Sequence, residues 1–168
     1  LGQDIVNHCV NDILVQGAKP LFFMDYIAAS KLSSECVLEF VKGIAYACKQ
    51  CNCVLLGGET AEMPNVYKGD RYDLVGCITG VVDKCKMVLG KQDIKNNDRI
   101  LAIPSSGLHT NGYSLVRKII RDMKESGQES EITEEFMDAL SEPHKSYLPE
   151  IEKIMEASIP FNGLCHVT

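Results

Sequence analysis

Two carboxylates three residues apart stand in the run Gly57-Gly58-Glu59-Thr60-Ala61-Glu62-Met63-Pro64, directly after the apolar residues Cys53-Val54-Leu55-Leu56. Paired glycines let a backbone turn sharply and approach a ligand with no Cβ in the way, and Pro64 keeps the run from continuing as a helix interior. Acids in a loop after a buried strand suit a hydrated divalent cation, and through it a nucleotide. Taken alone, Gly-Gly-Glu reads more simply as a solvated acidic turn. A further acid, Asp12, falls near the C-terminal end of an amphipathic segment. There the negative end of a helix dipole disfavours a carboxylate unless a cation compensates.

A second stretch with chemical content is Ser105-Ser106-Gly107-Leu108-His109-Thr110-Asn111-Gly112. A loop of small polar residues that opens a helix presents N–H groups and hydroxyls to an anion. Gly107 and Gly112 have P-loop spacing, but Tyr113-Ser114 stands where Lys-Ser/Thr is required, so this is not a Walker A loop. His109 can meet a phosphate or carboxamide, or it can serve the loop's own structure. Cys48, Cys51 and Cys53 resemble part of a thiolate metal site, yet no second Cys/His pair sits where it would complete four ligands. They are read as buried, reduced thiols. His8 is read as a surface or packing residue rather than a ligand.

The elements that must position these residues follow from periodicity. Asp4–Gln16 reads as a helix with the stripe Val6, Val10, Ile13 and Leu14. Pro20–Ala29 reads as a strand, followed by a helix capped by Ser33 or Ser34 with Val37, Val41, Ile44, Ala45 and Cys48 on one side. Cys53–Leu56 is expected as a buried strand, residues 57–64 as a loop, and Tyr72–Val82 as another strand. The polar segment Lys84–Asn97 is the candidate domain boundary. Beyond it come an expected short buried strand Arg99–Ile103 and helices over Tyr113–Met123, Glu131–Glu142 and Pro143–Ala157. A last strand is expected over Phe161–Thr168. The pattern predicts an α/β fold with α+β layering, in two unequal domains over residues 1–95 and 96–168.

The chain has 168 residues, 45% hydrophobic and 24% charged, which is ample apolar material for a core without disulfide staples despite eight cysteines. A net charge of −6 argues against a nucleic-acid partner. No apolar run approaches the roughly 20 residues needed to span a bilayer, and Asp25 interrupts the best candidate. Leu1-Gly2-Gln3-Asp4 does not read as a signal peptide. A cytoplasmic protein with no membrane partner is the expectation.

Four segments together resemble one family. They are Cys9-Val10-Asn11-Asp12 with Gln16-Gly17-Ala18 and Pro20-Leu21-Phe22-Phe23; the Gly57–Pro64 run; Ser105 to Lys118; and Gly163-Leu164-Cys165-His166-Val167-Thr168. In this order they resemble phosphoribosylformylglycinamidine cyclo-ligase, also called aminoimidazole ribonucleotide synthetase. The resemblance implies that family's two-domain fold with both domains incomplete, and a homodimer paired through the first domain's sheet. It implies ATP-dependent ring closure of formylglycinamidine ribonucleotide to aminoimidazole ribonucleotide, ADP and phosphate in purine biosynthesis. An amide oxygen leaves only once phosphorylated, after which an amidine nitrogen of the same molecule attacks the carbon.

By the same resemblance, Asp12 and Glu59 hold Mg2+ and ATP, Glu62 supports or ligates, and Asn11 orients the Asp12 region. Ser106, His109, Asn111 and His166 bind substrate, with His109 and Asp12 as the catalytic candidates. The family's glycine-rich N-terminal segment and first acidic nucleotide loop do not occur in the chain, nor does anything after Thr168. The chain therefore reads as an internal fragment with an incomplete site, inactive by itself. Gly2-Gln3-Asp4 leans toward the eukaryotic trifunctional form of the parent. Two alternatives stand beside this reading. One is another ATP-dependent member of the superfamily, such as selenophosphate synthetase, formylglycinamidine ribonucleotide synthetase or thiamine-monophosphate kinase, against which the Ser105–Gly112 loop speaks. The other is a non-enzymatic thiolate module on Cys48, Cys51 and Cys53.

Overall fold

A computed structural model describes all 168 residues. Its elements are α1 (Gly2–Leu14), β1 (Lys19–Ala29), α2 (Ser34–Gln50), β2 (Val54–Glu62), β3 (Tyr72–Val81), α3 (Tyr113–Glu125), α4 (Glu134–Ser141) and α5 (Leu148–Glu156). Short 3-10 turns occupy Lys84–Lys86 and Glu129–Glu131. The sheet has the order β2-β1-β3, with β2 parallel and β3 antiparallel to β1. The parallel pair is joined through α2, as such a crossover requires.

One face of the sheet is dry. Phe23 and Ile27 of β1 point into it, flanked by Leu55 of β2 and by Leu74 and Ile78 of β3. Val6, Val10 and Leu14 of α1 and Ile44, Ala47 and Cys48 of α2 close over Phe23, and Leu148 and Ile151 of α5 complete the cluster. α1 lies close because β3 carries glycine beneath it: a Cβ on Gly76 would come within 2.6 Å of Phe23 and 2.9 Å of Ile5. Ser33 caps α2, its hydroxyl accepting the Cys36 N–H at 3.4 Å. The opposite face is bare, with Met24, Val54 and Val75 on neighbouring strands exposed.

Several expectations change. The run Cys53–Leu56 leads into a strand that is not buried, with Val54 59% and Leu56 62% exposed. Gly57–Glu62 is not a loop but the second half of β2, paired residue by residue with Met24–Ala29. Glycine fits there because a Cβ on Gly58 would come within 2.5 Å of the Asp25 carboxylate. Arg99–Ile103 forms no strand, and Ile100 and Leu101 stand 94% and 90% exposed. Phe161–Thr168 forms none either. Both segments carry strand-like residues, but all three strands of the sheet lie before residue 82, and neither segment pairs with it.

The last helix starts at Leu148 rather than Pro143 because α1 takes up the backbone groups of residues 143–147. Asp4 Oδ1 accepts the His144 N–H at 2.8 Å, and Asn7 Nδ2 donates to the His144 carbonyl at 2.7 Å. Asn11 Nδ2 donates to the Lys145 carbonyl at 2.8 Å, and Asn11 Oδ1 accepts the Tyr147 N–H at 3.0 Å. Side chains thus replace the helical hydrogen bonds that residues 143–147 forgo.

Candidate functional site

Asp4, Asn7 and Asn11 recur at helical spacing along α1, and His8 and Asp12 form a neighbouring row one turn apart. Asn11 is buried yet fully engaged, a polar residue that its partners make tolerable in the core. Its two backbone bonds fix the amide so that Nδ2 also donates to His144 Nε2 at 3.1 Å. His144 then carries its proton on Nδ1, facing the Thr110 hydroxyl at 3.3 Å. His144 is neutral: burial first, then His109, His8 and His166, lower its pKa to about 4, against an opposing pull from Asp4.

The loop before α3 docks on this seam. His109 stacks on His144 with centroids 4.2 Å apart, and its Nε2 accepts the Ser106 N–H at 3.0 Å and the Lys145 N–H at 3.3 Å. Burial, then His166 and Lys145, lower the His109 pKa against Asp4, so the ring is a neutral acceptor. His109 and Thr110 both hold left-handed backbone, at φ 48° and 64°, a conformation that costs about 1–3 kcal/mol per residue. Local bonds overdetermine it: Thr110 Oγ1 donates to the His109 carbonyl at 2.6 Å and Asn111 Nδ2 to the same oxygen at 2.9 Å. Ser106 Oγ donates to the Pro143 carbonyl at 2.8 Å. Ser106, His109 and Asn111 are therefore together, and they face one another as much as any ligand.

Asp12 gathers two histidines. Its Oδ1 lies 2.8 Å from His166 Nδ1 and its Oδ2 lies 3.4 Å from His8 Nε2. All four histidines of the chain meet here, with His8, His144 and His166 ring centroids 5.2–5.4 Å apart. His8, expected as a surface or packing residue, belongs to this cluster. His144 was not singled out from sequence at all. The available signal was Asn11, a polar residue beside Val10 of the apolar stripe of α1, which needs partners if it is buried.

The acids of β2 lie elsewhere. Glu59 is exposed on the bare face beside Tyr26 and Val75, its carboxylate meeting only its neighbour's Thr60 N–H at 3.0 Å. Glu62 caps the chain at Leu32, accepting that N–H at 2.7 Å. Ile13, next to Asp12, lies against Gly80, which pairs with Pro20, whereas Glu59 pairs with Tyr26. From Pro20 to Tyr26 along β1 is ~20 Å at the usual strand rise. Asp12 and Glu59 thus stand at opposite ends and on opposite sides of the sheet. Asp25 is the acid sequence reading passed over: it sits against Gly58, and burial raises its pKa although its own backbone N–H opposes.

The thiols form no ligand set of their own. Cys48, Cys51 and Cys53 are buried, and all eight cysteines are free. Burial, then Cys53 and Cys51, push the Cys48 thiol up to about 12, which keeps it protonated and a poor ligand. No helix is long and apolar enough to cross a membrane.

Comparison with known proteins agrees with this architecture. The family model for AIR synthase related protein, N-terminal domain, matches residues 1–82. Along its whole length the chain is 45% identical to a phosphoribosylformylglycinamidine cyclo-ligase of Prochlorococcus marinus, covering 49% of that protein. It is likewise 47% identical to the one from Alkaliphilus oremlandii, covering 50%, and 46% identical to the one from Clostridium perfringens, covering 49%. The chain spans about half the length of the curated relatives it matches. Among solved structures, E. coli HypE, a hydrogenase maturation protein, shares the fold at a TM-score of 0.56 and 15% identity, over 95% of this chain and 44% of that one. Residues 1–82 are thus similar to the AIR synthase related protein N-terminal domain, and the chain along its whole length is similar to phosphoribosylformylglycinamidine cyclo-ligases.

Proposed function

We propose that the chain is part of an ATP-dependent cyclo-ligase of purine biosynthesis, closing formylglycinamidine ribonucleotide to aminoimidazole ribonucleotide with release of ADP and phosphate. The observation that carries this reading is identity of 45–47% across the whole chain to proteins of that name. In the proposal, residues 1–95 contribute to the nucleotide domain and residues 96–168 open the second domain. The loop holding Ser106, His109 and Asn111, with His166 beside it, faces the ribonucleotide. α3 supports that assignment: Gly112 caps it with no side-chain hydrogen bond, leaving its first N–H groups for an anion.

His109 acts in this reading as a neutral acceptor that holds the loop in place, because its Nε2 already receives two backbone N–H groups. The work of the loop is positioning, which lets an amidine nitrogen reach the activated carbon of the same molecule. Mg2+ shared by Asp12 and Glu59 does not fit a single chain. Asp12 sits toward the Pro20 end of β1 and Glu59 beside Tyr26, strand positions ~20 Å apart, and Asp12 is turned to His8 and His166. The ion therefore takes no step here, and Glu59 and Asp12 meet one nucleotide only if they come from different chains. A homodimer suits this, and the bare sheet face with Met24, Val54 and Val75 supplies an apolar surface for the pairing. The cytoplasm is the matching compartment, where eight free cysteines stay reduced.

The test is direct. The full-length protein is incubated with ATP, Mg2+ and formylglycinamidine ribonucleotide, and phosphate and the aminoimidazole product are both measured. Equal amounts of the two, each requiring the ribonucleotide, are expected. Phosphate without aminoimidazole, or neither, overturns the reading.

A further inference from the structure

We propose that His8, His144 and His166 form a binding site for a zinc-class divalent transition metal, with Asp12 orienting two of the three imidazoles from behind. Each histidine offers one ring nitrogen, and the three nitrogens lie within 4.8 Å of one another. Nitrogens bound to one zinc at ~2.0–2.1 Å in tetrahedral geometry stand about 3.4 Å apart, so capture draws the rings inward by no more than about 1.5 Å.

His166 carries the argument. Its side chain is only 6% exposed, its Nδ1 is engaged by Asp12 Oδ1 at 2.8 Å, and its Nε2 is buried with no hydrogen-bond partner. A buried nitrogen without a partner costs free energy unless something fills its lone pair. Carboxylate on one ring nitrogen and a free lone pair on the other is the arrangement that orients metal-ligating histidine. His8 repeats it more loosely, one nitrogen 3.4 Å from Asp12 Oδ2. His144 is held between Asn11 and Thr110, and metal capture exchanges one of those two hydrogen bonds for the ion. Three imidazoles select borderline metals and not Mg2+, which takes oxygen ligands. Three protein ligands also leave a fourth position open, which zinc sites that act on water or substrate keep. The loop that presents Thr110 lies at this opening.

The site shares Asp12 and His166 with the cyclo-ligase reading, but its test does not rest on that reading, since binding is measured with neither ATP nor ribonucleotide present. The full-length protein, free of any affinity tag, is stripped with chelator under reductant and titrated with Zn2+ alone, with Co2+ as the spectroscopic probe. The expected result is a saturable site whose Co2+ spectrum lacks thiolate charge-transfer absorption. His166→Ala and His144→Ala each remove one equivalent of metal, and Asp12→Asn keeps the stoichiometry but weakens affinity about 10–100-fold. Excess Mg2+ leaves the ion in place. Where a melt shows His166→Ala misfolded, His8→Ala replaces it, its side chain already 27% exposed. Unchanged stoichiometry in the histidine variants, thiolate absorption in the signal that they abolish, or displacement by Mg2+ overturns the proposal.

Discussion

α1 and α3 are both thirteen-residue helices with an apolar stripe, yet α1 buries Val6, Val10 and Leu14 while α3 buries no residue. The stripe of α3 is the more sharply segregated of the two, with Leu115 and Ile119 left exposed. The difference lies in what stands opposite. α1 has the dry face of the sheet and α2; α3 has no sheet against it, and its Tyr113 hydroxyl reaches the Leu140 carbonyl at 2.7 Å. Periodicity names the face that a helix offers but not the partner that takes it.

The largest test of that contrast compares Phe23→Ala with Leu115→Ala. Phe23 is wholly buried under α1, so its truncation is expected to cost about 3–5 kcal/mol in a denaturant melt. Leu115 is 62% exposed, and its truncation should stay within about 0.5 kcal/mol. Comparable losses at both positions would break the contrast.

A smaller effect is expected where the two halves meet. Asn11→Leu removes the acceptor for the Tyr147 N–H and the donor for the Lys145 carbonyl, and should cost about 1–3 kcal/mol. Smaller again is Ser33→Ala, which uncaps α2 at about 1 kcal/mol, readable as a lowered Tm. The thiols sharpen the contrast with no change in stability. Alkylation of folded protein near pH 8 should reach exposed Cys36, Cys77, Cys85 and Cys165 and spare Cys48. With its pKa raised to about 12, Cys48 is ~10⁻⁴ thiolate at pH 8, and its labelling should speed up as pH rises. Early labelling of Cys48, read by peptide mass, would contradict the packing of α2 on the sheet.

Much of the first half was legible in sequence because local signals and burial agree there. Val6, Val10 and Leu14 marked α1, and Ser33 or Ser34 marked the start of α2, where Ser33 proves to be the cap; the apolar run before Gly57 marked β2 but not its exposure. The glycines misled at β2, because a Gly-Gly pair reads as a turn unless the neighbouring strand is known; Asp25 across the ladder is the reason Gly58 is there. Ile100 and Leu101 misled because apolar residues were taken to imply a strand partner that the chain does not provide. Of the site, the Ser105–Gly112 loop and Asp12 were visible as residue types. The gathering of His8, His144 and His166 was not, since residues 8 and 166 meet only through the tertiary fold. Asp12 and Glu59 looked like partners by chemistry, and only strand register separates them.

The central claim is that the site is assembled between halves, with Asn11 on α1 fixing residues 143–147 and through them the His109 loop. Hydrogen exchange of Asn11→Leu against the parent sequence tests this most directly, because local opening is read segment by segment. Protection is expected to fall in residues 104–112 and 143–147 while Phe22–Ile27 of β1 stays protected. Equal loss across β1, or unchanged protection in the His109 loop, would contradict it.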